Sequence, residues 1–169
     1  AADNPEVHMT LGDTLRREER YDEATKAYDA AIALFVEPTR AQWLAYFARG
    51  ITHEREDRWE LAEADFRKAL ELNPGQPQVL NYLGYSLVEK QRNLDEALEM
   101  IEKAERHLDK TDDTYLLGGV YLKKGGAYSN GKDHKKAIDN YSLAIKKYGP
   151  NDSIYKADAI YFRGQSHFW

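Results

Sequence analysis

The chain has 169 residues, 42% of them apolar, no cysteine and a net charge of −5. This length fits one domain with a sizeable core, and the lack of cysteine excludes disulfides and cysteine-based metal sites. The negative charge argues against non-specific binding to nucleic acid. No apolar run approaches the roughly 20 residues that a membrane helix needs, so we expect a soluble protein without membrane insertion, cytoplasmic or bacterial periplasmic, with the compartment left open.

A frame of four positions recurs along the chain: a glycine, an alanine twelve residues later, a large ring or isoleucine four further on, and a second alanine three after that. The four copies are Gly12/Ala24/Tyr28/Ala31, Gly50/Ala62/Phe66/Ala69, Gly84/Ala97/Ile101/Ala104 and Gly125/Ala137/Tyr141/Ala144. The third copy has one extra residue, and Gly164 begins a fifth copy that the chain end cuts off. The glycines are 38, 34, 41 and 39 residues apart. A constant unit with variable connections is typical of a repeat array.

Each copy is predicted to fold as two helices, because apolar residues recur at helical spacing. The first helices are predicted to end near Arg17, Glu56, Gln91 and Ser129. The second helices are predicted to begin at Tyr21, Trp59, Leu94 and His134. Alanine and glycine allow the two helices to cross closely, and the ring fills the gap beside them. No alternating apolar stretch indicates a strand, so the prediction is all-α.

Prolines and acidic caps support these boundaries. The five prolines are predicted in the connections, where a missing N–H costs nothing; they are Pro5, Pro38, Pro74, Pro77 and Pro150. Asp133 and Asp152 are predicted as helix N-caps, since their carboxylates can accept from the first backbone N–H groups.

The second copy carries the most complete signature: Tyr46, Arg49, Gly50, Trp59, Ala62, Phe66, Ala69 and Pro74. This pattern resembles the tetratricopeptide repeat, a helix–turn–helix unit of about 34 residues. The fourth copy is looser, with Lys124 where a leucine is usual. The resemblance implies a right-handed α-solenoid of antiparallel helix pairs with about four and a half repeats and nine helices. The repeats span about 5–38, 39–76, 77–112 and 113–151, with a half repeat at 152–169, in a single domain 1–169.

Charge and composition change near residues 109–114. Residues 1–111 hold 15 Lys and Arg against 23 Asp and Glu, a net −8, whereas residues 112–169 hold 9 against 6, a net +3. The second part has one arginine, Arg163, and no glutamate. Two interpretations remain open: a fusion of two repeat proteins of different origin, or drift along a natural array. The first would make the chain an engineered or chimeric scaffold with no natural ligand.

Two segments resemble catalytic or metal-binding motifs, but each lacks a residue that the motif requires. Residues 126–133 nearly spell a phosphate-binding loop, but Asp133 replaces the required hydroxyl and no strand precedes the motif; we interpret Asn130-Gly131 as a turn between helices. His53 begins an H-E-x-x-H-like stretch that lacks the second histidine, and we predict that His53 packs in the core. No serine lies in a nucleophile elbow. We therefore predict no enzyme activity, no catalytic or metal-binding residue and no cofactor.

The resemblance places the first helix of each pair on a concave inner surface. The implied inner positions lie two, three and six residues before the frame glycine and one, four and five after it. In copies one and two they are Glu6, Met9, Thr10, Asp13, Arg16, Arg17, Leu44, Phe47, Ala48, Ile51, Glu54 and Arg55. In copies three and four they are Gln78, Asn81, Tyr82, Tyr85, Val88, Glu89, Gly119, Leu122, Lys123, Gly126, Ser129 and Asn130.

The middle of this groove is rich in apolar side chains, and exposed apolar clusters mark contact surfaces. The predicted peptide-binding residues are Arg16, Arg17, Leu44, Phe47, Ile51, Arg55, Asn81, Tyr82, Tyr85 and Lys123. The alternative left open is that the apolar ones pack only on neighbouring helices. One subclass of the resembled family grips a C-terminal carboxylate of chaperone tails with Lys and Asn. Met9 and Asp13 hold those positions in the first copy, so we do not expect that activity.

The half repeat carries two pairs of aromatic residues near its end, Tyr161 and Phe162, and Phe168 and Trp169. An array normally closes with a polar cap. Either the chain is cut from a longer array, or a second copy covers this helix and gives a symmetric homodimer through these residues. The sequence as a whole predicts a protein–protein interaction scaffold that binds a partner peptide or helix in its concave groove.

Overall fold

The structure is a computed structural model that describes residues 4–37, 39–111, 113–149 and 151–167. Over these ranges it contains nine α-helices, one 3₁₀ turn at Arg40–Gln42 and no strand. The helices are α1 Pro5–Arg17, α2 Tyr21–Ala33, α3 Trp43–Arg55, α4 Trp59–Leu72, α5 Pro77–Glu89, α6 Leu94–Leu108, α7 Thr114–Asn130, α8 His134–Lys147 and α9 Ser153–Ser166. The predicted all-α fold with nine helices is confirmed.

The chain divides into two compact units, Ala1–Pro74 and Gly75–Trp169. In the first unit α1 pairs with α2 and α3 with α4, while α2 also packs on α3. In the second unit α5 pairs with α6 and α7 with α8, while α6 packs on α7 and α8 on α9. The first helices α5, α7 and α9 are neighbours in turn and form one layer of this unit. The predicted composition junction lies inside the second unit, and the fusion interpretation stays a prediction.

The frame glycines are the points where paired helices touch. A Cβ atom added to each glycine would overlap the frame side chain of the second helix. The distances are 2.6 Å for Gly12 to Tyr28, 2.7 Å for Gly50 to Phe66, 2.8 Å for Gly84 to Ile101 and 2.6 Å for Gly125 to Tyr141. The frame alanines are fully buried in every copy: Ala24, Ala31, Ala62, Ala69, Ala97, Ala104, Ala137 and Ala144. The predicted close crossing of small residues against a ring is confirmed.

The first helix of each pair ends with the same geometry in all four copies. The residue seven places after the frame glycine is not glycine, yet it adopts left-handed backbone with φ of 60°, 57°, 53° and 62° at Glu19, Asp57, Gln91 and Lys132. The next N–H then donates at 2.9 Å to the carbonyl five residues earlier, from Arg20 to Leu15, Arg58 to His53, Arg92 to Leu87 and Asp133 to Tyr128. This bond closes a Schellman-type helix end.

The second helices begin where predicted, at Tyr21, Trp59, Leu94 and His134. Asn130 is the last residue of α7 and Gly131 is its C-cap, so the predicted turn between helices begins at Gly131 and not at Asn130.

The Asp133 carboxylate accepts from the Lys136 backbone N–H and caps α8 as predicted. Asp152 occupies the N-cap position of α9 as predicted, but its carboxylate makes no capping hydrogen bond to α9 and instead accepts from the Gly149 backbone N–H at 2.8 Å.

Two of the proline predictions are wrong. Pro5 and Pro77 are the first residues of α1 and α5 and do not lie in connections. The first helical N–H has no partner within the helix, so proline is accommodated there. Pro74 lies in a connection as predicted, while Pro38 and Pro150 are outside the described residues.

An ion-pair network stabilises the first unit. The Arg49 guanidinium donates to both carboxylate oxygens of Asp65, at 2.8 and 2.7 Å, and to Asp29 at 2.7 Å. His53 is buried beside them, with its Nε2 atom 3.8 Å from Asp65 Oδ2. Burial lowers the pKa of His53, so its imidazole is neutral near pH 7. The predicted core position of His53 is confirmed.

Candidate functional site

A pocket of about 650 Å³ opens on the layer formed by α5, α7 and α9 in the second unit. Its lining residues are Tyr85, Val88, Glu89, Leu122, Lys123, Gly126, Ser129, Asn130, Tyr141, Tyr155, Asp158 and Phe162. Those from α5 and α7 are all inner positions implied by the family resemblance for copies three and four. The fold therefore brings these inner positions together around one cavity, which we call the aromatic pocket.

Two adjacent glycines of α7 have different surroundings. A Cβ atom at Gly125 would lie 2.6 Å from the Tyr141 ring, so this glycine is required for the close approach of α8. A Cβ atom at Gly126 would meet only the Tyr141 hydroxyl, at 3.9 Å, which is ordinary contact distance. Helix packing thus does not require glycine at position 126. The bare backbone there leaves the floor of the aromatic pocket open.

Aromatic rings of α8 and α9 form one wall of the pocket. The Phe162 ring stacks on Tyr141 with centroids 6.0 Å apart, and the Tyr155 ring stacks on Tyr148 at 5.9 Å. Phe162 and Tyr155 are each 44% exposed, so both rings keep accessible apolar surface. Burial raises the pKa of Tyr141 to about 12, so its hydroxyl stays neutral at physiological pH.

Three predicted site residues form a cluster at this pocket, and two of them, Tyr85 and Lys123, line it. The Lys123 ammonium lies 5.2 Å from the Tyr82 ring centroid and 4.7 Å from that of Tyr85. A cation at this distance is attracted by the ring faces. The Tyr85 hydroxyl donates to Glu89 Oε1 at 2.7 Å, which fixes the ring at the pocket edge. Tyr82, Tyr85 and Lys123 therefore lie together, and their part in binding a partner stays a prediction.

Asn81, the remaining predicted site residue of this unit, is half-buried. Within the described ranges its Oδ1 atom is buried and has no hydrogen-bond partner. This oxygen is not exposed to an incoming segment in the present conformation. Its role in selecting a partner stays a prediction.

The other predicted residues lie in the first unit, where two of them contribute to the fold. The Phe47 ring is 5.8 Å from Trp43 and 5.9 Å from Phe66, centroid to centroid. Arg16 donates to the Tyr28 hydroxyl at 3.2 Å and to Asp13 at 3.3 Å. The contact with Phe66 of α4 favours, for Phe47, the alternative that the sequence left open for the apolar residues, which is packing on neighbouring helices. The part of Arg16 in binding stays a prediction.

Four predicted residues of the first unit remain. Leu44 is 48% exposed and lines a pocket beside α1. Ile51 is half-buried, and Arg17 and Arg55 are exposed. Their part in binding a partner stays a prediction.

The contribution of α9 to the pocket is not among the sequence predictions, although a signal for it exists. Asp158 and Phe162 lie six and two residues before Gly164, which are inner positions if the frame is extended to the fifth glycine. Tyr155 and Tyr141 have no comparable signal, because one lies outside the frame and the other is a frame ring expected in the core.

Phe162 was assigned from the sequence to self-association, but it lines the aromatic pocket. Its neighbour Tyr161 is 61% exposed and does not line the pocket. Phe168 and Trp169 lie outside the described residues. Homodimer formation through this helix stays a prediction.

Models of the tetratricopeptide repeat match residues 9–77, 47–113 and 118–146. These matches cover most of the sequence. The chain belongs to the tetratricopeptide repeat family. Proteins of this family are generally interaction scaffolds and not enzymes, and this supports a protein-interaction scaffold as the general function of this chain. In the described part of the chain no helix is both long and apolar enough to cross a membrane.

The "DnaJ homolog subfamily C member 7 homolog" of Schizosaccharomyces pombe is 24% identical to this tetratricopeptide repeat chain. The match covers 98% of the chain but 37% of that relative, so the chain spans little more than a third of its length. The solved structure of pilF from Pseudomonas aeruginosa is 19% identical, with a TM-score of 0.75 over 96% of this chain and 73% of that one. YrrB, described as a TPR protein with an unusual peptide-binding site, is 18% identical, with a TM-score of 0.70 over 93% and 74%. These structures show the shared fold.

Proposed function

We propose that this chain is a docking module that holds a segment of a partner protein in the aromatic pocket of its second unit. The segment inserts a large aliphatic or aromatic side chain between the α5 wall and the α9 wall. The observation that carries the proposal is the pocket itself, which combines accessible rings with a floor that helix packing leaves open. The neighbour YrrB, with its peptide-binding site, supports a peptide as the class of ligand.

The lining residues suit an apolar side chain with a defined orientation. Phe162 and Tyr155 offer accessible ring surface, and burying such surface drives association. Tyr85 is held by its hydrogen bond to Glu89, and Lys123 is held over the Tyr85 ring. Because these side chains are already positioned, a partner loses little free energy in ordering them.

The test uses a phage-displayed library of random peptides selected on the 169-residue chain. The affinities of enriched peptides are then measured for matched variants. Phe162→Ala should weaken binding by about tenfold, because one of the two accessible rings of the wall is lost. Gly126→Ala should also weaken binding, because the new methyl group projects from the pocket floor. Circular dichroism should show that both variants remain helical.

Two control variants separate binding from folding. Ile160→Ala removes another exposed apolar side chain of α9, and Ile160 does not line the pocket. Gly119→Ala adds a methyl group to α7, the helix that carries Gly126, but outside the pocket. The nearest atom to this methyl group would be the Tyr148 hydroxyl oxygen, at 3.8 Å. Both controls should bind as the parent chain does. Equal affinities for Phe162→Ala, Gly126→Ala and the parent chain, or a selection without enrichment, would contradict the proposal.

A further inference from the structure

A second pocket of about 600 Å³ lies in the first unit, beside α1 and the start of α3. Its apolar wall includes Met9, Phe35 and Leu44. Leu44 is 48% exposed, so packing within the unit leaves it half uncovered. Met9 packs against the buried cluster around Tyr28, and this contact holds its side chain in place at the pocket. We call this cavity the acidic pocket, and it shares no residue with the aromatic pocket.

The acidic pocket is negatively charged. The charged side chains that line it in the described structure are Glu6 and Asp13, and both are carboxylates. Glu6 is exposed at the first turn of α1. Asp13 accepts from the Tyr28 hydroxyl at 2.8 Å and from Arg16 at 3.3 Å. Arg16 offsets part of the Asp13 charge, but it does not line the pocket, so an approaching ligand meets two carboxylates.

The Asp13 side chain is held in place before any ligand binds. The buried Tyr28 hydroxyl donates to Asp13 Oδ1 while it accepts from Arg16 Nε, which forms a closed group of three side chains. Burial raises the pKa of Tyr28 to about 12, so the phenol remains a proton donor at neutral pH. A carboxylate fixed in this way loses less entropy on meeting a cation than a mobile one does.

The charge of the surrounding unit favours the same kind of ligand. Residues 1–74 contain 10 Lys and Arg against 16 Asp and Glu, a net charge of −6. This field attracts a positively charged segment and disfavours a second copy of the same unit.

From the pocket's shape and charge we infer that it binds a partner-protein segment in which a large aliphatic or aromatic side chain stands next to a lysine or arginine. The apolar side chain inserts against Met9, Phe35 and Leu44, and the cation lies at Glu6 and Asp13. This inference concerns a second docking surface and does not depend on the aromatic pocket. Opposite charges at such a surface set specificity and association rate more than total affinity.

The test selects a phage-displayed random-peptide library on the 169-residue chain at low salt. We expect one enriched class to pair Lys or Arg with a neighbouring Leu, Ile, Met or Phe. Glu6→Gln should weaken that class by about twofold to fivefold, the range for an exposed ion pair. Leu44→Ala should weaken it by about tenfold. Gly126→Ala, in the aromatic pocket, should leave it unchanged.

Glu60→Gln is the matched charge control, because Glu60 is exposed in the first turn of α4 and does not line the pocket. Leu11→Ala is the matched apolar control, because Leu11 is 49% exposed on α1 and also lies outside the pocket. Both should bind the basic class as the parent chain does. The inference is overturned if no basic class is enriched, or if Glu6→Gln and Leu44→Ala bind no more weakly than their controls. Peptides sensitive only to Gly126→Ala would overturn it while leaving the proposed function intact.

Discussion

The adjacent glycines Gly125 and Gly126 give a direct test of how the repeat frame works. Replacing Gly125 by alanine would place a methyl carbon 2.6 Å from two ring atoms of Tyr141 and 3.0 Å from a third. Carbon atoms prefer separations of about 3.5–4.0 Å, so the overlap is about 1 Å. Tyr141 is 3% exposed and its ring stacks on Phe162, so it cannot move without disturbing its packing. The helix pair must therefore separate or the ring must leave its rotamer.

The expected magnitude follows from two opposing effects. Overpacking of a filled site costs about 1–3 kcal/mol, and an overlap with a buried ring belongs near the upper end. Alanine in place of a helical glycine gains about 1 kcal/mol. Gly125→Ala should therefore lower the free energy of unfolding by about 1–2 kcal/mol. Gly126→Ala meets nothing closer than 3.9 Å and should raise it by about 0.5–1 kcal/mol.

The assay is urea unfolding followed by far-UV circular dichroism. Because the two positions are adjacent in one helix, the gain in helix propensity cancels in the comparison. The midpoints should differ by about 1 M urea, given the usual dependence of stability on urea. Equal midpoints, or a Gly125→Ala variant more stable than Gly126→Ala, would refute the reasoning that the frame glycine exists for contact with the ring.

Three further variants test other parts of the fold. Arg49→Ala should lower stability by about 3–5 kcal/mol, because it leaves the buried Asp65 carboxylate unpaired; Asp65→Leu combined with Arg49→Met should recover much of that loss, and urea unfolding followed by tryptophan fluorescence measures both. Lys132→Gly should stabilise by about 1 kcal/mol, because φ there is 62°; the same change at Lys135 inside α8 should destabilise by a similar amount in thermal unfolding. Burial lowers the pKa of His53 below its unfolded value of about 6.5, so below that pH the unfolded chain binds a proton that the folded chain does not. Stability should therefore fall as pH drops from about 7 towards 5, and His53→Phe should flatten the pH profile of the urea midpoint; an unchanged slope would contradict a neutral buried imidazole.

The sequence by itself determined the helices, their order and the contact between each frame glycine and its ring. These features depend on the helical periodicity of apolar residues and on the spacing of the frame residues within one helix pair. Both can be recognised from residues that are close together in the sequence. Tyr21, Trp59, Leu94 and His134 begin their helices as predicted for this reason.

Only the tertiary structure decided that helix packing does not require glycine at position 126, because this depends on the 3.9 Å that would separate a Cβ atom there from the Tyr141 hydroxyl. The same holds for the left-handed turn residues such as Glu19 and Lys132, which carry no glycine signal. It also holds for the aromatic pocket, whose walls come from three repeats. A cavity is defined by the separation of side chains on different helices, and that separation depends on how each repeat packs on the next.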